Sequence, residues 1–172
     1  MNKLGDLSCK EFLIELASAA PAPGGGGGAA MAGALAAALA SMVANLTIGK
    51  EKFAEREPEV KELLEQAEAE RVRLLALVDE DAAVFNSFMS CYKLPKATDE
   101  EKAARTAAIR AAAKQAATVP LNIARSSFAV LKLADRLVVS GNPGVITDGA
   151  CSGLWRVRRC AVRSTTCALT WD

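Results

Sequence analysis

The stretch from Ala29 to Ile48, AAMAGALAAALASMVANLTI, admits little besides one closely packed helix. Alanine is the strongest helix former, and β-branched residues are few here. Met31, Leu35, Met42 and Leu46 fall on one stripe at helical spacing. Between them Gly33, Ala34, Ala38 and Ser41 keep the surface small enough for another helix to approach closely. Gly49 reads as the cap at its end. The length would also suit a membrane span. Alanine and glycine are only weakly apolar, however, Asn45 sits near one end, and no second such segment accompanies it. The expectation is a buried bundle helix and no membrane partner.

The other segments carry the same period. The 172 residues suggest one domain, and with 51% hydrophobic but only 5% aromatic residues the core must be built from Ala, Leu and Val. Ser8 and Glu11 form a capping box, opening a helix from about Cys9 to Ala19 with Phe12, Leu13 and Leu16 inward. Pro21 and Pro23 stop it. Pro58 suits the first turn of a long third helix that runs to about Tyr92 and ends at KLPK, Lys93 to Lys96. Thr98 and Glu101 form a second capping box for a fourth helix, which Pro120 breaks or kinks. A fifth helical pattern runs from Leu121 to about Val139, and SGNPG, from Ser140 to Gly144, is a turn. No strand pattern with clean alternation precedes that turn. The fold class is all-α, a multihelical up-and-down bundle.

Several functions are excluded at once. A net charge of +1 gives no basic field for nucleic acid. Histidine is absent, so acid–base chemistry must use Asp, Glu, Lys, Cys or Tyr, and His-based triads and metal sites are ruled out. The five cysteines form no CxxC pair, which suits reduced thiols in a cytoplasmic protein. The polar, mixed opening MNKLGDLSCKEF does not read as a signal peptide.

Two stretches ask for more than packing. The first is APGGGGGA, Ala22 to Ala29, read as a loop with the next helix starting at about Ala29. A dinucleotide fingerprint needs a strand before the glycines, and a P-loop needs Lys-Ser or Lys-Thr after them; neither is present. A flexible linker and a ligand surface remain. Bare amides at a helix start suit an anion, and missing side chains let a flat ring lie on backbone. The second stretch is LLALVDEDAAVFNSFM, Leu74 to Met89. Asp81 has Leu77, Val78, Val84 and Phe85 as helical neighbours, and Asp79 has Leu75, Ala76, Ala82 and Ala83. Acids so placed, with Glu80 adding like charge, are expected to hold their protons more tightly and to serve as proton carriers near neutral pH. The alternative is a buried pair with a Lys, Arg or helix-end partner. Asn45, Lys50, Lys52, Lys93 and Lys96 are either solvated surface groups or contacts for a ligand with carboxylates.

Taken in order, FLIELASAAPAPGGGGGAAMAGALAAALASMVANLTIGKEKF, LVDEDAAVFNSFM, KLPKATDEEKAAR and AATVPLNIA resemble the cyclodeaminase/cyclohydrolase family, over about Phe12 to Asp148. The family includes the cyclodeaminase domain of formiminotransferase-cyclodeaminase and standalone methenyltetrahydrofolate cyclohydrolases. The resemblance implies an all-helical homodimer, dimerising through helices, that acts on one-carbon tetrahydrofolates. The folate is the substrate, and no prosthetic group and no metal is implied. The family's DxD matches Asp79 and Asp81, its glycine loop Gly24, Gly25 and Gly26, and its Gly-Arg or Gly-Lys after the second helix Gly49 and Lys50. Gly27 stands where the family has Ser. Asp79 and Asp81 are then the catalytic candidates. Gly24, Gly25, Gly26, Asn45, Lys50 and Lys93 are the substrate-binding candidates, the lysines for a glutamate tail. The absence of an attached formiminotransferase domain favours the cyclohydrolase reaction, with cyclodeaminase second. A non-catalytic folate-binding or helical assembly protein is the reading from another class.

The resemblance stops after Asp148, so residues 1–148 are read as the domain and 149–172 as an atypical tail. The tail holds three of the five Cys, both Trp and four of the 21 Lys and Arg residues. Restoring one base after the Asp148 codon allows Thr165 to Trp171 to be re-read as Tyr-Asn-Val-Arg-x-Asn-Leu, like the end of the family's last helix. A frameshift is therefore expected, with poor burial after Asp148 and weak or absent turnover.

Overall fold

A computed structural model of the chain describes residues 3–145, 147, 148, 150 and 151. The α-helices with both ends among the described residues are α1 (Cys9–Leu16), α2 (Gly24–Asn45), α3 (Glu57–Cys91) and α4 (Asp99–Ser140). Short 3-10 turns lie at Leu4–Asp6, Glu51–Arg56 and Pro143–Val145. There is no strand among the described residues, and the all-α reading holds. The burial expected for the tail falls outside the described residues, except that Ala150 and Cys151 are exposed.

Local signals set three helix starts and stops. The Ser8–Glu11 box is formed in full, with each residue's side chain bonded to the other's backbone N–H. At α4 the Glu101 carboxylate accepts from the N–H groups of Ala97 and Thr98, and the Thr98 hydroxyl accepts from Glu101 N–H. Gly49 takes a positive φ of 77° just past α2, which glycine adopts without strain.

Three expectations are corrected. The glycine run is not a loop: α2 begins at Gly24, and Gly27 N–H already donates to Pro23 O at 3.0 Å. Glycine disfavours a helix by about 1 kcal/mol per residue relative to alanine. Tertiary contact offsets this here, because Pro23 and Val78 lie against Gly27, and Leu16 against Gly28. Pro120 does not end a helix either; α4 runs through it. Proline removes one N–H and crowds the preceding turn, but the adjacent Val119 and nearby Ile123 are buried and hold the helical path. Next, α1 ends at Leu16, and Leu13 is 61% exposed rather than inward. The small-residue face of α2 takes the close packing, as its composition implies: Ala30, Ala34, Ala37, Ala40 and Ala44 are buried, while Leu35, Met42 and Leu46 are exposed. Small side chains allow a closer backbone approach, so the alanine face gains the contacts.

The chain forms two compact units. Among the described residues, one comprises 3–28 and 76–122, and so contains α1, the first turns of α2, the end of α3 and the start of α4. The other comprises 29–75 and the described residues from 123 onward, with the remaining lengths of α2, α3 and α4. The second unit has an aliphatic core of Ala40, Val43, Ala44, Val60, Leu63, Ala67, Leu133 and Leu137. Gly33 lets Leu74 and Ser127 close over α2, since a Cβ there would meet them at 3.1 to 3.3 Å. The buried Thr47 hydroxyl donates to Val43 O and accepts from Asn142 N–H, tying the turn after α4 to the end of α2. Of the most apolar 18-residue window of α2, 67% is buried within the chain.

Glu59 fixes α3 to α4 in this unit. It accepts from Arg136 at 2.9 Å and from the Ser140 hydroxyl at 3.1 Å. The Arg136 bond, then the Ser140 bond, hold its carboxyl below the ordinary carboxylate range. A depressed folded pKa adds stability above the unfolded value, about 4.3, which is lost as pH falls through the folded value. Arg136→Ala is therefore expected to move the Glu59 titration upward, read by carboxyl NMR, and to remove part of the acid-side slope of stability.

Candidate active site

The α3 helix places Asp79 and Asp81 on different faces. Residues two apart are turned by about 200° around an α-helix and do not face each other. Both are half-buried, whereas Glu80 between them is exposed. The Asp79 Oδ1 atom accepts from Leu4 N–H at 2.6 Å and from Gly5 N–H at 3.3 Å. The Asp81 carboxylate lies against the first turn of α2, where a Cβ added to Gly26 would overlap it. The two carboxylates read from the sequence as a pair thus meet different partners.

The glycine run divides along its length. A Cβ on Gly24 or Gly25 would meet nothing within 4 Å, and Gly24 has a positive φ of 52°. These two positions keep bare backbone open to a ligand. Gly26 is instead filled by Asp81, Gly27 by Pro23 and Val78, and Gly28 by Leu16. Helix N-termini carry partial positive charge and N–H groups without helical partners. Asp81 sits against the start of α2, beside the open glycine backbone, with Leu77 and Val78 of its own helix buried next to it.

The remaining sequence candidates are dispersed. Lys93 is exposed in the turn after α3, in the same unit as Asp81. The end of α3 at Cys91 lies ten residues beyond Asp81, about 15 Å along the axis. Asn45, the last residue of α2, and Lys50 are exposed and belong to the other unit. Lys52 and Lys96 are exposed as well. No three Cys, Asp or Glu side chains gather as metal ligands among the described residues. Sequence reasoning missed the amides of Leu4 and Gly5 on Asp79, across 75 and 74 residues, for which no local signal exists. It also missed the packing at the α3–α4 turn, where Phe88 and Tyr92 meet edge to face at 5.3 Å. Arg105 lies 5.5 Å from the Tyr92 ring and donates to the Tyr92 carbonyl.

These features define a class: an all-helical protein without histidine, in which an aspartate of one helix sits on the glycine-bared start of another. The chain belongs to the formiminotransferase-cyclodeaminase family, which matches residues 8–167. It is 47% identical over 144 residues to a methenyltetrahydrofolate cyclohydrolase of Methylorubrum extorquens, covering 84% of this chain and 69% of that protein. It is 36% identical over 147 residues to the formimidoyltransferase-cyclodeaminase of Rattus norvegicus, covering 86% of this chain but only 27% of that protein. The crystal structure of formiminotetrahydrofolate cyclodeaminase from Thermotoga maritima superposes with a TM-score of 0.83 at 29% identity, over 97% of this chain and 79% of that one.

Proposed function

We propose that the chain is a one-carbon tetrahydrofolate enzyme that opens the methenyl ring to 10-formyltetrahydrofolate. The 47% identity to a methenyltetrahydrofolate cyclohydrolase supports this reading. The observation that carries it is the Asp81 carboxylate resting on Gly26 beside the open Gly24 and Gly25. Part of the folate packs on that bare backbone. Water adds to the cationic methenyl carbon while a carboxylate of α3 accepts its proton. The same group then protonates the departing ring nitrogen, and the C–N bond breaks. As the formyl C=O forms, the hydroxyl proton left on the adduct passes to solvent, so the cation and water give the neutral formyl product and one proton; no prosthetic group takes part. Lys93, in the same unit as Asp81, is assigned to the carboxylates of the substrate.

The second reading is the cyclodeaminase reaction, in which N10 attacks a formimino carbon and ammonia leaves. The 36% identical relatives and the Thermotoga structure favour keeping it. The methenyl absorbance separates the two. Its loss from methenyltetrahydrofolate supports the cyclohydrolase, and its appearance from formiminotetrahydrofolate supports the cyclodeaminase.

The exposed stripe of Leu35, Met42 and Leu46 on α2 supports assembly as a homodimer through that helix. Sedimentation is expected to give the mass of two chains, reduced to one by Leu35→Glu with Met42→Glu. A single-chain mass for the parent would contradict the dimer. We also assign residues 149–172 to a shifted reading frame. Resequencing the codons for Thr147 to Asp172 is expected to find an extra base, and an unchanged read would make the tail genuine.

A further inference from the structure

We infer that the two aspartates of the DxD motif have separate tasks: Asp79 is a positioning residue that anchors the N-terminal turn, and Asp81 alone meets the reacting atoms. The assignment of chemistry to Asp81 rests on the proposed function; the anchoring by Asp79 does not.

Three observations carry this. First, the two side chains leave α3 in nearly opposite directions and cannot serve one carbon together. Second, Asp79 Oδ1 is already engaged by two consecutive backbone amides, Leu4 and Gly5, at 2.6 and 3.3 Å. These amides open the Leu4–Asp6 turn, whose own preceding residue, Lys3, gives it no side-chain cap. Asp79 supplies that cap from 75 residues away. This oxygen is occupied as an acceptor for the arm's backbone, which is the arrangement of a fixed anchor. Third, the anchored turn leads through the Ser8–Glu11 box into α1, whose Leu16 packs on Gly28 of α2. The N-terminal arm is therefore held on α3 at Asp79 and on α2 at Gly28. Asp81 and Gly26, the contact assigned to chemistry, lie two residues from those two anchors along the same helices.

Asp79→Asn and Asp79→Ala separate the roles. Asparagine keeps an oxygen acceptor for the two amides but cannot exchange a proton as a carboxylate does. With Asp79→Asn, turnover of methenyltetrahydrofolate is expected to stay within about tenfold of the parent, and the Leu4 and Gly5 amides to remain protected in hydrogen exchange. With Asp79→Ala those amides are expected to exchange at least about tenfold faster, with kcat lowered and asparagine the rescuing variant. Loss of turnover beyond about 100-fold in Asp79→Asn with the amides still protected would overturn the division, because only proton chemistry is then removed. Unchanged amide exchange in Asp79→Ala would overturn the anchor. Absence of turnover on either folate in both the parent and the frame-restored chain would sink the proposed function, while amide exchange would still decide the anchor.

Discussion

Asp81→Asn is expected to lower kcat by about 10²- to 10⁴-fold while the folate still binds. The change keeps shape and removes the ability to accept and return a proton. The charge at the start of α2 is lost too, which for a half-buried group is worth about 0.3–2 kcal/mol of stability. The fall in rate thus far exceeds any loss of fold. Kinetics with a binding titration read the two separately: kcat drops and the dissociation constant moves little. Turnover that survives the substitution would place the chemistry elsewhere, and binding kept with turnover gone would dispose of a purely folate-binding role.

Gly26→Ala is expected to reduce turnover by about 100-fold without unfolding the protein, since displacing a reacting group by about 1 Å is enough for such a loss. A helical Gly-to-Ala exchange ordinarily stabilises by about 0.4–1 kcal/mol. Here the new methyl would occupy the place of the Asp81 carboxylate, so the aspartate must rotate away. Thermal unfolding is therefore expected to change little while kcat falls, and a crystal structure of the variant should show the carboxylate moved off α2. An alanine variant with parental kcat would show that this contact is not used in the reaction.

What the sequence made legible was what short-range chemistry decides. The boxes at Ser8–Glu11 and Thr98–Glu101 and the stop at Gly49 are local hydrogen-bonding and backbone preferences, and the structure forms them. The glycines failed as a local signal. Their poor helix propensity argued for a loop, yet the contacts of Pro23, Val78 and Leu16 draw Gly27 and Gly28 into α2. Pro120 misled in the same way, because burial of Val119 and Ile123 outweighs one missing N–H. The inward face of α2 could not be chosen from periodicity alone, since both its alanine stripe and its Leu–Met stripe are apolar. At the site, Asp79 and Asp81 stood out by being acids among aliphatic neighbours. That each turns to its own partner, Leu4 and Gly5 for one and Gly26 for the other, depends on contacts more than fifty residues apart in the chain.

The central claim is tested most directly by following methenyl absorbance on adding methenyltetrahydrofolate to the chain. The chain with its reading frame restored after Asp148, and each form carrying Asp81→Asn, are measured alongside. The account predicts loss of absorbance faster than in buffer, strongest in the frame-restored chain, and a return to near the buffer rate with Asp81→Asn. Loss at the buffer rate in both parent forms, or an undiminished rate in the Asp81→Asn forms, would contradict it.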